Sequence, residues 1–391
     1  MALPLIYSFR SIALRKGSSA MAVAGIALVV VVFAVLLALA AGFRKAVASS
    51  GRPDNIIILR AGAEAELGSQ VSRDVGHVIR ELPLVQTDEQ GRPLFVMESV
   101  IILSRRKRDG GLANVTVRGT DEFSPMVHAG ARVTQGRWFA PGTDEAVIGV
   151  GLARRLENFG LGQTVTASRH AWRIVGVFET DGSALESEMW IDGPLAQSVF
   201  NRKDVYQSCL FRVAGDPVAT VAVLEKLTKN DPRLSNVVAQ TEQEYYRKQS
   251  KLMADVITIL GGILTAIMSV GAIVGAMNTM YAAVSHRKRE IGCLLAMGFT
   301  PEAVWLAFML ESLLLAGIGA VLGCGLALCF DGIRTGTTNF ATFSETAFEF
   351  QVTAGILLRA AGLALLMGLI GGAAPAFRAA RMKVVDALRR A

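Results

Sequence analysis

The chain has 391 residues, of which 52% are hydrophobic, and its mean hydropathy is +0.42. This average is too apolar for an ordinary soluble protein, so the excess must be concentrated in membrane spans. The formal net charge is +7. The basic residues flank apolar segments, however, and no stripe of basic and aromatic residues indicates a nucleic-acid partner. Composition therefore predicts a membrane protein and gives no support for nucleic-acid binding.

The N-terminal region predicts a membrane anchor. Residues 1–17 place apolar side chains near one helical face, which is typical of an interfacial helix on the cytoplasmic leaflet. Residues 18–50 supply the first span and its extension, because residues 18–42 carry no charge and can cross about 30 Å of hydrocarbon. A cleaved signal peptide is the alternative, but the apolar core exceeds the usual roughly 7 to 15 residues. We therefore expect an uncleaved anchor.

Residues 51–240 predict a mixed α/β domain outside the membrane, because short β-rich runs alternate with helical ones and none is apolar enough to span a bilayer. The predicted strands are residues 55–60, 94–103, 114–118, 145–150, 164–167, 173–178 and 208–213, and the predicted helices are residues 70–82, 152–158 and 217–229. Residues 105–108 are basic and precede Asp109-Gly110, a strong hairpin signal. This basic tip either meets an anionic partner or is solvated, and solvation is the commoner outcome.

The rest of the chain predicts three further spans. Thr241 and Glu244 have the spacing of a capping box. A helix from there to about residue 284 would be roughly 65 Å long, about twice the hydrocarbon thickness, so part of it would be a stalk. The predicted segments are the stalk and second span at 241–285, a cytoplasmic coupling helix at 286–302, the third span at 303–330, an outer loop at 331–353, the fourth span at 354–376 and a cytoplasmic tail at 377–391. Basic residues cluster before the first span, at 286–289 and after the fourth, so both termini should face the cytoplasm.

The run Arg289-Glu290-Ile291-Gly292, followed by Ala296 and Gly298, resembles the coupling-helix motif of ABC transporter permeases of the MacB/FtsX superfamily (type VII, mechanotransmission). Leu295 departs from many members, which carry Lys or Arg at that place. The resemblance extends over all four membrane segments and the sequence 368–380, and the outer region resembles the family's core domain at 54–60, 136–139 and 175–178.

The resemblance implies a fold with four transmembrane helices and a large mixed α/β extracytoplasmic domain between the first and second. It also implies a permease subunit in the inner membrane of a bacterial cell that moves a hydrophobic or amphipathic substrate. Its expected partners are a separate ABC ATPase, a second permease in a dimer and a periplasmic adaptor protein. The alternative is a non-transporting transmitter of the FtsX type, which regulates an extracytoplasmic enzyme. The implied ATPase-coupling residues are Arg289, Glu290, Ile291, Gly292, Leu295, Ala296 and Gly298.

No phosphate-binding G-x-x-x-x-G-K-[ST] loop is present, so ATP and Mg are expected in the partner ATPase and no cofactor in this chain. The four cysteines and the outer-domain histidines His77, His128 and His170 lack metal-ligand spacing and predict no metal site. No catalytic residues are predicted.

Glu311 is an acid within the third span. It is either a proton-coupling group or one half of a structural pair near the inner leaflet, and pairing is favoured. Arg359 lies towards the opposite leaflet and is a poor partner for it. The glycine pairs 271/275, 319/323 and 368/372 have the spacing of close helix packing.

Overall fold

The computed structural model of the chain describes residues 16–128, 130–338 and 344–384. It divides into a helical unit and an α/β unit. The helical unit holds the described residues up to Ala41, Asp255–Ile333 and those from Phe350 onward, and the α/β unit holds Gly42–Ala254 with Arg334–Glu349. Residues 1–15 of the predicted interfacial helix and residues 385–391 of the predicted tail lie outside the described residues.

Helices and strands are numbered here in chain order. The α-helices are α1 Lys16–Ala48, α2 Arg73–Arg80, α3 Ser124–Val127, α4 Val150–Arg155, α5 Gly193–Val199, α6 Pro217–Asn230, α7 Glu242–His286, α8 Lys288–Ala296, α9 Pro301–Leu328 and α10 Ala354–Ala380. The strands are β1 Asn55–Arg60, β2 Val71–Ser72, β3 Phe95–Arg106, β4 Leu112–Thr120, β5 Arg132–Gly136, β6 Glu145–Gly149, β7 Thr164–Ala167, β8 His170–Glu179, β9 Glu188–Asp192, β10 Val205–Tyr206, β11 Ser208–Arg212, β12 Val237–Thr241, β13 Arg334–Thr338 and β14 Glu345–Glu349.

Among the described residues, α1, α7, α9 and α10 are long and apolar enough to cross a membrane. The last three of these helices each begin after a threonine whose hydroxyl accepts a backbone N–H of the first turn, which satisfies one of the unpaired donors there. At α7 the donor is Glu244 N, 3.2 Å from Thr241 Oγ1, as the predicted capping box requires. The 45 residues of α7 are unbroken, so the predicted long helix is present and is about 67 Å long.

Two of the three glycine pairs pack helices within the helical unit. A Cβ added at Gly323 would lie 2.6 Å from Cβ of Val30 on α1, and one at Gly368 would lie 3.2 Å from the carbonyl oxygen of Ser312 on α9. The hydroxyl of Ser312 also donates to the Gly368 carbonyl at 2.6 Å. The packing prediction is wrong within this protomer for the pair at 271 and 275, because nothing lies within 4 Å of a Cβ at either position.

The α/β unit is built on a 10-stranded sheet in the order β12-β1-β11-β3-β4-β9-β6-β8-β5, with β7 paired to β8. The β4–β9 and β6–β8 pairs are parallel, and the other pairs of this sheet are antiparallel. All the predicted strands of this region are present. The sequence did not predict β5, β9 or β12, which are five residues each. Strand β9 is buried at every position and therefore lacks the alternation that identifies a half-buried strand.

The basic tip forms the predicted hairpin, in which β3 and β4 pair as far as Arg106 and Leu112. Arg106 and Arg108 are exposed, as the expectation of solvation requires, but Lys107 and Arg108 also have protein partners. Nζ of Lys107 lies 2.8 Å from Oε2 of Glu345, and Arg108 donates to two carbonyls at the end of α4. The reason is a second hairpin, β13–β14, within the region predicted only as an outer loop. Its acidic residue lies more than 200 positions along the chain, where sequence pattern gave no link to the tip.

Candidate coupling site and a buried charge cluster

Helix α8 is a short element between two long ones, and its ends have identifiable causes. Arg287 interrupts the helical path between α7 and α8 with φ −107° and ψ 15°. At the other end, Gly298 adopts φ 91°, a left-handed conformation that favours glycine. The amide of Phe299 then donates to the Leu294 carbonyl at 3.1 Å and closes the turn. Gly298 of the predicted motif therefore has a structural role as the terminator of α8.

Two apolar residues of the motif attach α8 to the helical unit. Ile291 is buried, and Leu295 packs partly buried against the same cluster, which includes Val284 of α7 and Phe308 of α9. Gly292 is also buried. These three predicted coupling residues therefore hold α8 in place, and their side of the helix is not available to a partner in this conformation.

The remaining residues of the motif lie on the outer side of α8. Arg289, Glu290 and Ala296 are exposed, as are Lys288 and Cys293 beside them. This gives a short surface with both signs of charge and little apolar area apart from Met297, which is 69% exposed. The structure thus separates the predicted coupling residues into an anchoring side and an exposed side.

Glu311 has the structural partner that its sequence position predicts. Its Oε2 accepts from Nη1 of Arg287 at 3.0 Å, and the same guanidinium donates through Nε to Oε2 of Glu290 at 2.8 Å. The guanidinium also lies over the ring of Phe308, 5.3 Å from its centroid. The Arg287 and Glu311 side chains are only 10% and 6% exposed. One arginine thus connects the junction of α7 and α8 to the middle of α9.

Sequence reasoning assigned Arg287 to a basic cluster that sets topology and did not identify it as the partner of Glu311. The two residues are 24 positions apart. A signal was available, because an acid in an apolar helix requires a compensating charge and the hinge holds the nearest basic residues in sequence.

The α/β unit contains a second group of buried charges, centred on Arg118 of β4. Its Nη1 donates to Oε1 of Glu66 at 2.9 Å and to Oε2 of Glu98 at 2.6 Å, and its Nε donates to Oε2 of Glu188 at 2.7 Å. Arg118 is 2% exposed. One guanidinium therefore serves three carboxylates, an arrangement that uses its donors fully but leaves negative charge in excess.

Neutral and titratable side chains complete this cluster. Nε2 of His128 lies 2.8 Å from Oε1 of Glu98, Trp190 donates to Glu188 at 2.9 Å, and Ser208 donates to Glu66 at 2.6 Å. His128, which the sequence gave no reason to single out, is therefore part of the most highly charged site in the α/β core.

Glu98 and His128 shift each other's pKa. Burial alone would raise the pKa of Glu98, but Arg118 and His128 stabilise the carboxylate and hold its pKa at about 2. Burial would lower the pKa of His128, but the Glu98 carboxylate outweighs it and raises that pKa above 6.5. Among the described residues, no group of three or more His, Cys, Asp or Glu side chains could hold a metal ion.

A small cavity borders this cluster and is lined by residues including Glu66, Arg118, Glu188 and Gln249. Its volume of about 40 Å³ holds roughly two or three water molecules, since each needs at least 10 to 15 Å³. Pockets for drug-sized ligands measure about 300 to 1,000 Å³, so this cavity is not a substrate chamber.

Comparison with known proteins identifies the type of chain. The MacB-like periplasmic core domain matches residues 19–230, and the FtsX-like permease C-terminal matches residues 262–384. The chain is 27% identical over 293 residues to the macrolide export ATP-binding/permease protein MacB of Bordetella avium (strain 197N), which covers 71% of this chain and 43% of that protein. It is 25% identical over 288 residues to the uncharacterized ABC transporter permease YknZ of Bacillus subtilis (strain 168), which covers 71% and 70%. The chain therefore spans less than half the length of the Bordetella relative.

Part of the chain is also similar to a solved structure. The periplasmic region of MacB from Actinobacillus actinomycetemcomitans matches with a TM-score of 0.38 and 13% identity, covering 54% of this chain and 94% of that one. The core-domain match alone takes in more than half of the chain, and the C-terminal match takes in α8, α9 and α10. The chain belongs to the MacB/FtsX family of ABC transporter permeases.

Proposed function

We propose that this chain transmits ATP-driven motion from a separate cytoplasmic ATPase to the α/β unit, for export of a hydrophobic or amphipathic substrate from the outer face of the membrane. One observation carries the proposal. Helix α8 is anchored by Ile291, Leu295 and the Arg287–Glu311 pair, and it exposes Arg289 and Glu290. If the ATPase pushes on the charged side of a helix attached in this way, the helix can transmit that movement to α7 and α9.

The long helix α7 supplies a path for this load. It is unbroken over 45 residues, and its backbone hydrogen bonds make it stiff along its axis. Its N-terminal part belongs to the α/β unit and its remainder to the helical unit. Movement of α8 can therefore be delivered outside the membrane without a continuous polar pathway through the helices.

The proposal assigns partners by chemistry. ATP and Mg are bound and hydrolysed by the ATPase subunit, and this chain supplies no catalytic group. A dimer with a second permease is supported by α7, where Gly271 and Gly275 have open space beside them and Ile267 and Val270 are more than 60% exposed. A periplasmic adaptor protein completes the export route.

The proposed location is the bacterial inner membrane, with both termini in the cytoplasm and the α/β unit outside. Cys209 is fully buried and unsuitable as a reporter, so an Arg106→Cys replacement at the exposed β3–β4 tip takes its place. In intact cells, a membrane-impermeant maleimide should label the introduced cysteine and leave Cys293 on α8 unlabelled. Labelling of Cys293 with protection of position 106 would refute this orientation.

The coupling role is tested at Glu290. Replacing Glu290 by Lys reverses a charge on the exposed side of α8 and should abolish transport while the protein still inserts and assembles in the membrane. Transport and ATP hydrolysis would be measured on the complete transporter in proteoliposomes. Glu302→Lys is the matched control, because Glu302 is also an exposed acid but lies in the first turn of α9, outside the motif. Full transport activity of the Glu290 variant would show that α8 does not couple the two proteins.

A further inference from the structure

The hairpin formed by β13 and β14 is held against the α/β unit at one acidic side chain. Glu345 accepts from Nζ of Lys107 at 2.8 Å and also binds the guanidinium of Arg155. Its side chain is 7% exposed, whereas Lys107 and Arg155 are 22% and 29% exposed. Two cations thus converge on one shielded carboxylate, and they come from the β3–β4 tip and from the end of α4.

Contacts beside Glu345 fix the same hairpin. The amide of Ala347 donates to Oγ of Ser187 at 2.9 Å. The ring of Phe348 meets that of Phe43 edge to face, with 5.6 Å between centroids, and Phe348 is 4% exposed. The hairpin is therefore held by an ion cluster, a backbone hydrogen bond and an aromatic contact, which is more than a loop between two spans requires.

The base of the hairpin continues into the ends of α9 and α10. Within the helical unit, Gly332 donates to the Phe350 carbonyl at 3.1 Å, and Phe350 donates to the Ile333 carbonyl at 3.0 Å. Oδ1 of Asp331 accepts from the amide of Val352 at 2.8 Å, just before α10 begins. Hydrogen bonds thus join the two segments that lead from α9 into the hairpin and from the hairpin into α10.

We propose that Glu345 is a positioning residue that makes the β13–β14 hairpin a strut, through which α9 and α10 hold and move the α/β unit in parallel with α7. The mechanical meaning of the strut rests on the proposed coupling function. The basic tip has a role in this proposal, because Lys107 is one of the two cations through which Glu345 holds the hairpin against the α/β unit.

The test uses the full chain alone in lipid nanodiscs, without an ATPase, so that it does not depend on the coupling role of α8. Spin labels are placed at Lys203→Cys in the α/β unit and Leu358→Cys on α10, both exposed positions. Cys293, Cys324 and Cys329 are replaced by Ala, and buried Cys209 is retained. Pulsed electron paramagnetic resonance then gives the distribution of distances between the labels.

In the otherwise unsubstituted chain we expect one narrow distribution. In the Glu345→Gln variant the distance distribution should become broad, because Lys107 and Arg155 are left facing each other without a counter-charge. The control Glu349→Gln removes an acid from the same hairpin, where it pairs with Arg334 at the exposed edge, and should keep the narrow distribution. The three-fold reversal Glu345→Lys, Lys107→Glu and Arg155→Glu should restore it.

The thermal midpoint of the α/β unit is measured for each chain, and the label distances are compared well below the lowest midpoint, which separates positioning from folding. An equally narrow distribution in Glu345→Gln and in the unsubstituted chain would overturn the strut. A broad distribution already present in the unsubstituted chain would overturn it too. Neither result bears on Glu290, whose failure as a coupling residue would be seen only in the transport assay.

Discussion

Two of the buried charge clusters among the described residues differ in how their charges are balanced. In the helical unit, Arg287 faces the buried Glu311 and the largely exposed Glu290. In the α/β unit, Arg118 faces three carboxylates, all 10% exposed or less. The first cluster places an arginine beside one buried and one largely exposed carboxylate, and the second places an arginine among three buried carboxylates.

This difference indicates different roles. The Arg287–Glu311 pair lies where α7, α8 and α9 meet. It adds little net stability, because desolvation offsets most of its attraction, but it fixes one geometry. The network around Arg118 has many more hydrogen bonds, and its members come from β3, β4, β9 and the segment before β2. Its stability depends on Arg118, since that side chain neutralises charges on all of these segments.

The comparison predicts unequal costs of removing each arginine. Arg118→Leu leaves three buried carboxylates without their counter-ion and should destabilise the α/β unit by more than the about 3 to 5 kcal/mol typical of one broken buried pair. Arg287→Leu removes a counter-ion from one buried carboxylate, Glu311, and should fall within that range. Thermal unfolding of the full chain in detergent would be followed by tryptophan fluorescence for the first variant, because Trp138, Trp172 and Trp190 lie in the α/β unit, and by helical circular dichroism for the second.

Arg132→Leu is the matched control for Arg118→Leu, because Arg132 pairs with Asp181 on the surface, where both side chains are more than 60% exposed. Its loss should cost no more than about 1 kcal/mol. If Arg118→Leu lowered the free energy of unfolding no more than Arg132→Leu does, the network would not be what holds β3, β4, β9 and the segment before β2 together.

The two clusters also differ in what the sequence revealed. Glu311 was recognisable as a paired acid because it is the one charged residue in the sequence 303–330, and a charge within an apolar segment must be compensated. Its partner was missed since Arg287 lies among several basic residues, and only three-dimensional packing selects one of them.

The Arg118 network was not recognisable at all. Glu66, Glu98, Arg118 and Glu188 are spread over more than 120 positions, and each sits in a run whose polarity is unremarkable. The long helices and most strands were predictable because they depend on local periodicity, whereas the network and the β13–β14 contact with Lys107 depend on long-range pairing. The motif also did not predict that Gly298 adopts a left-handed conformation and ends α8, although a glycine just after a helix commonly ends it.

The smallest expected effect is a dependence of stability on pH. It sharpens the comparison because only one of the two clusters, the one in the α/β unit, includes a histidine. Glu98, with its pKa lowered from 4.5 to about 2, contributes stability that is complete above pH 4.5 and is lost as the pH falls towards 2. His128, with its pKa raised above 6.5, contributes stability that is complete below pH 6.5 and is lost as the pH rises through the higher value. These two groups alone would make the α/β unit most stable between pH 4.5 and 6.5. Burial raises the pKa of Glu242 and of Asp121 to about 7, so their contribution falls as the pH rises from about 4 to 7 and moves the maximum towards pH 4.5. His128 adds the part of the decline that lies above pH 6.5.

His128→Gln tests this expectation, since an amide can still donate to Glu98 but cannot carry a charge. The thermal midpoint of the full chain would be measured by fluorescence from roughly pH 5 to 9, a range that begins below the ordinary pKa of histidine and extends above it. Trp190 is a suitable reporter, because its ring centroid lies 4.9 Å from that of His128. The variant should lose the decline above neutrality and should be less stable than the unsubstituted chain at the acidic end. His170→Gln, which removes a surface histidine paired with Asp144, should leave the profile unchanged. A decline above neutrality that persists in His128→Gln would mean that another group causes it, and that the acid excess around Arg118 is not balanced by this histidine.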